Sequence, residues 1–175
     1  MVSVAARTSS HRLNLRQRLG FDEEVLDLAR LGEENLLFPP SIALFSDPRL
    51  NRDMYFWLAA LLAAMTPTTV FHDPLRQDIS SLRQVYAASL LALDQFPGLR
   101  RRYSTLQRQM LAIRPARSLP PAEAAIEAVI RKMLGAAQPL PEDATAYYEA
   151  VMDSAISLRP FRAPPNYRPP LPVPL

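Results

Sequence analysis

Eighteen prolines and four glycines are spread along the 175 residues, and the prolines limit where regular structure can form. Proline has no amide N–H and breaks the interior of a helix, yet it is favoured at the first helical position. Helices are therefore expected to begin at one proline and to end before the next. Strands are not predicted, because few segments alternate apolar and polar residues.

Apolar residues recur with helical spacing between these breaks and predict about six helices. Asp47-Pro48 and Asp73-Pro74 are the strongest starts, because each joins an N-cap oxygen to a proline at the first position. Pro97-Gly98 is expected to form a corner, and Gly135 to end the fifth helix. The predicted helices cover about residues 22–31, 48–65, 75–93, 99–113, 121–133 and 142–157.

The chain is expected to divide into three parts. Residues 1–20 are predicted to be a loose N-terminal segment. Residues 21–158 are predicted to form an all-α domain, an irregular bundle of about six helices. Seven of the last seventeen residues are proline, so residues 159–175 are predicted to be an extended, proline-rich linker toward a missing C-terminal region.

Two patterns make explicit predictions about burial. Tyr55, Phe56 and Trp57 are consecutive and span ~300° of a helix at 100° per residue, so they cannot all face one core. Either their helix is central in the bundle or one ring is an exposed contact, and we favour the central position. The third predicted helix carries a continuous apolar stripe that is expected to face the core: Leu75, Ile79, Leu82, Tyr86, Leu90 and Leu93.

Several classes of chemistry are excluded by residue types that the chain lacks. It has no cysteine, which removes disulfides, iron–sulfur clusters, thiolate nucleophiles and cysteine-based zinc sites. Four glycines cannot build a phosphate-binding loop or a dinucleotide fingerprint. The segment Asp153–Ser157 is similar to the metal-dependent adhesion motif Asp-x-Ser-x-Ser, but Ala155 stands in place of the central serine and the segment is predicted to be helical.

The remaining candidates for catalysis form no recognised constellation. The two histidines, His11 and His72, lie far apart in the sequence, and His72 with Asp73 and Asp78 is the best enzymatic grouping available. Adjacent residues such as His72 and Asp73 seldom bind one metal ion. We therefore predict no catalytic residue, cofactor or metal, and expect a protein that is not an enzyme.

The chain is expected to be soluble and cytoplasmic. Its longest apolar run, Met54 to Met65, has twelve residues. That is short of the ~18–20 that span a bilayer. The N-terminus has positive charges but no apolar run followed by a cleavage site, so it is not a secretory signal.

The most unusual local feature is a basic stretch. Arg101 and Arg108 are seven residues apart and share a helical face, and with Arg100 they are the candidate protein-binding residues. A solvated face is the favoured interpretation, followed by an acidic protein partner and then by nucleic acid, which would want interleaved exposed aromatics. Between Asp94 and Glu123 there is no acid but six arginines: Arg100, Arg101, Arg102, Arg108, Arg114 and Arg117.

The residues from Ser41 to Leu62 carry a family resemblance. Its core is Leu50-Asn51-Arg52, then Tyr55, then Trp57 to Leu61. These residues resemble the N-terminal region of the NorD/CbbO proteins, and Asn51, Arg52, Tyr55 and Trp57 are interpreted as structural members of the motif. Further matches follow in order to the end of the chain: Pro97-Gly98-Leu99, Arg102-Tyr103, Arg114-Pro115, Leu119-Pro120 with Glu123, Tyr167-Arg168-Pro169 and Pro172 to Leu175.

The resemblance implies an adaptor role. Proteins of this family carry a C-terminal von Willebrand A domain and work with a hexameric AAA+ ATPase of the MoxR group. CbbO serves with the ATPase CbbQ in Rubisco activation by remodelling, and NorD is linked to maturation of nitric oxide reductase. For this chain the resemblance implies a docking domain for the ATPase hexamer, with Rubisco as the preferred target and nitric oxide reductase as the alternative. An Arg-rich module that binds nucleic acid is a further alternative.

Overall fold

The computed structural model describes residues 41–66, 69–171 and 173. Within these ranges the chain forms five α-helices and one 3₁₀ turn and contains no strand, which confirms the predicted all-α class. The predicted helix over residues 22–31 and the segment 1–20 lie outside the described residues. The helices are α1 (Pro48–Ala64), α2 (Pro74–Gln95), α3 (Arg100–Ile113), α4 (Pro121–Met133) and α5 (Glu142–Met152), with the 3₁₀ turn (Pro97–Leu99) between α2 and α3.

The two Asp-Pro helix starts are confirmed. A side-chain oxygen of Asp47 accepts a hydrogen bond from the backbone N–H of Arg49 at 2.8 Å, and Asp73 accepts one from Arg76 at 3.1 Å. Each bond satisfies one of the N–H groups that a helix leaves free in its first turn. Gly135 follows the end of α4 with a φ of 88°, a conformation that glycine adopts without steric cost.

The last helix is shorter than predicted. The sequence pattern extended it to residue 157, but α5 ends at Met152. Asp153 ends it because its side chain accepts a hydrogen bond from the N–H of Ala155 at 2.8 Å and so competes with the helical bond. The guanidinium of Arg83 also donates to the carbonyls of Ala150 and Ile156, at 2.8 and 3.0 Å.

The helices share one hydrophobic core. α1 packs against α2 and α3, while α5 packs against α2 and α4. Burial of apolar side chains between these helices supplies most of the stabilisation. The largest fully buried side chains of the described helices are Met54, Trp57, Leu75, Ile79, Leu106, Met110, Ile126, Val129 and Ile130.

Two burial predictions are wrong. Phe56 is 49% exposed, so α1 is not surrounded and the central position that we favoured for it is incorrect. Leu90 is 53% exposed, and α2 buries Ala88, Ser89 and Ala92 in this region instead. Ser89 tolerates burial because its hydroxyl donates to the carbonyl of Val85 at 2.7 Å, which satisfies its polar group.

Residues 159–171, the C-terminal segment, contain no helix, as predicted, and lie packed along the helices. Arg76 on α2 donates to the carbonyl of Phe161 at 2.6 Å. Asp73 accepts a hydrogen bond from the N–H of Ala163 at 3.1 Å. One carboxylate therefore caps α2 and holds the C-terminal segment. The division of the chain at residue 158 stays a prediction.

Residues 167–171 of the C-terminal segment are also held by hydrogen bonds to side chains from elsewhere in the chain. The hydroxyl of Tyr167 donates to Asp78 at 2.7 Å, and Glu123 accepts from the N–H of Arg168 at 2.9 Å. Burial, followed by the bond to Asp78, raises the pKa of Tyr167 far above its ordinary range. Arg114 donates to the carbonyl of Leu171 at 3.1 Å. The extended segment is therefore part of the packed structure.

No helix in the described ranges has both the length and the apolar character that crossing a membrane requires.

Candidate protein-docking surface

Three arginines of the basic stretch lie on the exposed surface of α3. Arg100, Arg101 and Arg108 are exposed, and none of them forms an ion pair with a residue of the described ranges. The Nε of Arg108 donates only to the carbonyl of Ser104 on the same helix, at 3.3 Å. Because α3 carries no acidic residue, these charges are not neutralised along the helix.

Two other arginines of the stretch have structural partners. Arg102 lies 3.3 Å from Asp53 on α1, and its guanidinium carbon stands 5.0 Å from the centre of the Phe56 ring. This cation–π arrangement covers part of the exposed ring. Arg114 is only 4% exposed, and its Nε donates to Glu127 on α4 at 2.9 Å. The six arginines read together in the sequence are therefore separated by the fold.

Exposed apolar side chains precede Arg100 and Arg101 in the chain. Leu90 and Leu91 near the end of α2 are 53% and 42% exposed, and Phe96 at its C-cap is 46% exposed. The chain then turns through Pro97–Leu99 directly into Arg100 and Arg101. We call these five residues, Leu90, Leu91, Phe96, Arg100 and Arg101, the corner surface.

The corner surface has the composition of a contact site. Large apolar side chains that stay exposed next to arginine are typical of protein interfaces, where aromatic residues and arginine are enriched. Sequence reasoning missed the apolar half of this surface. The available signal was the pair Leu90-Leu91, since consecutive residues on a helix point about 100° apart and cannot both face one core.

The family-motif residues occupy mostly structural positions. The side-chain amide of Asn51 pairs with the backbone of Phe45 in both directions: Oδ1 accepts from its N–H and Nδ2 donates to its carbonyl, each at 2.8 Å. This pairing fixes the turn that leads into α1. Arg52 is exposed and has no ion pair with a described residue.

The two aromatic motif residues join α1 to its surroundings. Trp57 is buried, and its ring centre lies 4.3 Å from that of Tyr103 on α3. Tyr55 is half-buried and hydrogen-bonds with the backbone of Ile42. Burial raises the pKa of Tyr55 above its ordinary value and outweighs the hydrogen bond to Ile42, which acts to lower that pKa. Both rings therefore anchor α1 against its neighbours.

Two of the three residues weighed for catalysis have structural hydrogen bonds. His72 is exposed, Asp73 caps α2, and Asp78 accepts the hydroxyl of Tyr167. Burial acts to raise the pKa of Asp73, but hydrogen bonds from Arg76 and Ala163 outweigh it and hold that pKa below its ordinary value. Among the residues that the structure describes, no three His, Asp or Glu side chains are grouped as metal ligands.

Comparison with known proteins gives relatives that match nearly the whole chain. Protein NorD of Brucella abortus (strain 2308) is 40% identical over 172 residues, which are 97% of this chain. Protein NorD of Stutzerimonas stutzeri is 34% identical over 133 residues, or 75% of this chain. The chain is homologous to the NorD proteins.

The NorD relatives are much longer than the region that they share with this chain. The chain spans 26% of the Brucella abortus NorD protein and 20% of the Stutzerimonas stutzeri one. An uncharacterized protein of Pseudomonas aeruginosa is also similar, with 33% identity over 132 residues. No protein-family model matches the chain, and no solved structure matches it. The preference for CbbO over NorD in the sequence resemblance finds no support in these relatives.

Proposed function

We propose that this chain is a docking domain of a NorD-type accessory protein and that it binds a partner protein without chemistry of its own. The corner surface carries this proposal, because it leaves in solvent three large apolar side chains and two arginines that have no ion pair within the described ranges. Homology to NorD proteins supports the NorD alternative rather than CbbO and Rubisco. An exposed patch of this kind is costly to keep in water unless a partner covers it.

The partner that we propose is a MoxR-type AAA+ ATPase hexamer, and the target is nitric oxide reductase during its maturation. The family resemblance of residues 41–62 implies both. Arg100 and Arg101 favour a partner surface that carries carboxylates at its rim and an apolar centre. Binding would place the rest of the accessory protein beside the ATPase.

Binding to the purified ATPase hexamer tests the proposal at the corner surface. We expect Leu90→Ser combined with Phe96→Ser to weaken the affinity about tenfold or more, because central apolar contacts dominate interface energetics. Arg100→Glu combined with Arg101→Glu is expected to slow association and to lower the affinity further at low salt. Affinity and association rate are measured by surface plasmon resonance with the full-length accessory protein.

Matched controls separate docking from folding. Val70→Ser removes an apolar side chain that is 81% exposed away from the corner, and Arg162→Glu reverses an exposed charge on the C-terminal segment. Both controls should bind within about twofold of the unaltered protein. Arg108→Glu reports whether the surface continues along α3.

Unchanged binding of the corner variants, with circular dichroism showing intact helices, would remove the corner surface from the proposal. A lack of any binding by the unaltered protein would remove the ATPase as partner.

A further inference from the structure

A small polar cavity lies where four helices meet. Its volume is about 180 Å³. Tyr86 and Ser89 reach it from α2, Tyr103 and Gln107 from α3, Lys132 from α4 and Tyr148 from α5. We call it the tyrosine cavity. A cavity of this size holds several water molecules or one small ligand, since a water occupies about 30 Å³ in the liquid.

The residues that line the tyrosine cavity bring positive charge only. None of the described residues that line it is acidic, and Lys132 brings the only ionised group. Lys132 is also the single lysine of a chain that otherwise uses arginine for its basic residues. A compact ammonium on a flexible stem suits a narrow cavity better than a planar guanidinium does.

Half of the polar groups in the cavity are bound to one another. The hydroxyl of Ser89 donates to the carbonyl of Val85, and Gln107 donates to the Tyr103 hydroxyl at 2.9 Å and to the Met133 carbonyl at 3.1 Å. Tyr103 is also hydrogen-bonded to Ser89. Burial raises the pKa of Tyr103, so this hydroxyl stays protonated at neutral pH. These bonds fix one wall of the cavity.

The other three polar side chains have no partner among the described residues. Lys132, Tyr86 and Tyr148 are half-buried, and none of their side chains forms a hydrogen bond or ion pair with a residue of the described ranges. Ammonium and phenol groups donate hydrogen bonds, and solvent reaches these three groups, so a ligand can bind them in place of water. A ligand complementary to them brings several acceptor oxygens and negative charge in a small volume.

We propose that the tyrosine cavity binds a compact oxyanion of the phosphate or sulfate class, held by the Lys132 ammonium and the Tyr86 and Tyr148 hydroxyls. This site is independent of the proposed docking function. The same chemistry fits free phosphate or the phosphoryl end of a larger molecule.

Two single residues make the test direct. Reductive ¹³C-methylation labels Lys132 as the one modified lysine, with its positive charge and one N–H retained. The single tryptophan, Trp57, stacks on Tyr103 at the wall of the cavity and provides a fluorescence signal. Inorganic phosphate, sulfate and phenyl phosphate are titrated at constant ionic strength, with chloride as the reference salt.

We expect a saturable shift of the methyl-lysine signal with phosphate, at a Kd of about 1 mM or tighter, and no such shift with chloride. Tyr86→Phe and Tyr148→Phe should each weaken binding about fivefold or more, because each removes a charge-assisted hydrogen bond. Lys132→Gln should abolish phosphate binding. Because this variant has no lysine to label, its titration is measured by Trp57 fluorescence. Tyr147→Phe is the matched control, because Tyr147 is on α5 but contacts Phe161 rather than the cavity.

The arms of the titration separate the possible outcomes. Tighter binding of phenyl phosphate than of phosphate would assign the cavity to the phosphoryl end of a larger molecule, and the reverse order would assign it to the free ion. Two results would overturn the proposal. One is a signal that changes equally with phosphate and chloride. The other is phosphate binding that neither tyrosine variant weakens while circular dichroism shows intact helices.

Discussion

The side-chain amide of Asn51 closes the turn before α1 with two hydrogen bonds to Phe45. We expect Asn51→Ala to lower the free energy of unfolding by about 1–3 kcal/mol, because it leaves a partly buried N–H and a carbonyl without partners. Urea denaturation followed by circular dichroism measures the change. Arg52→Ala, at the exposed neighbouring position, should stay within about 0.5 kcal/mol. Equal effects of the two substitutions would show that the Asn51 pairing is dispensable.

Asp73 makes part of the stability dependent on pH. Burial acts to raise its pKa, but its hydrogen bonds hold that pKa below the ordinary value in the folded state, so its contribution is present above the ordinary pKa and is lost as the pH falls through the folded pKa. We expect Asp73→Asn to be less stable than the unaltered protein at neutral pH and the difference to shrink in acid. Urea midpoints at pH 7 and near pH 3 provide the measurement. A difference that is the same at both pH values would contradict the carboxylate's role.

Residue types also explain what could and could not be read from the sequence at this scale. Asp47 and Asp73 were identified as caps because capping is local and depends on the next few residues. The burial of Arg114 could not be predicted from the sequence, because it depends on contacts with Glu127 and Leu171, which are distant along the chain. The exposure of Leu90 in place of Ser89 likewise depends on which helices approach α2.

The C-terminal segment is an element without helix or strand that is held by the side chains of other elements. Arg76 donates hydrogen bonds to the carbonyls of Arg159 and Phe161, just before a potential tryptic site after Arg162. We expect Arg76→Ala to speed cleavage after Arg162 about tenfold, because proteases cut where the chain opens locally. Mass spectrometry of timed digests identifies the product.

Two comparisons make this proteolysis experiment decisive. Arg162→Ala should abolish the fragment and so confirm the cleavage site. Arg117→Ala alters an exposed arginine in the chain between α3 and α4 and should leave the rate at Arg162 unchanged. Equal cleavage rates for Arg76→Ala and the unaltered protein would show that the other contacts hold the segment without Arg76.

At the scale of elements, the helices were predictable and their partners were not. Proline positions and apolar spacing placed the helices of the described ranges within a few residues of their observed bounds, except for the end of α5. Only the basic half of the corner surface could be predicted. Arg100 and Arg101 belong to a basic stretch of the sequence, whereas the exposure of Phe96 depends on the turn that follows it. The tyrosine cavity was not predicted, since its residues come from four helices and no local pattern joins them.

Across the whole molecule, polar contacts to backbone carbonyls and amides complement the apolar core. Arg83 crosses from α2 to the end of α5, and Arg76 crosses to the C-terminal segment. Composition predicted that this segment would not be helical, which is confirmed for residues 159–171, but contacts over such sequence separations cannot be inferred from local spacing. The corner surface and the tyrosine cavity are the two features for which we propose a partner and a ligand.

The shared carboxylate of Asp73 has a consequence for how the molecule opens. The same group caps the first turn of α2 and accepts the amide of Ala163. If the C-terminal segment departs, the cap loses the partner that orients it, and if the first turn frays, the segment loses an anchor. The two regions therefore behave as one cooperative unit, in which detachment at one end of the sequence and unwinding in its middle share a single free energy.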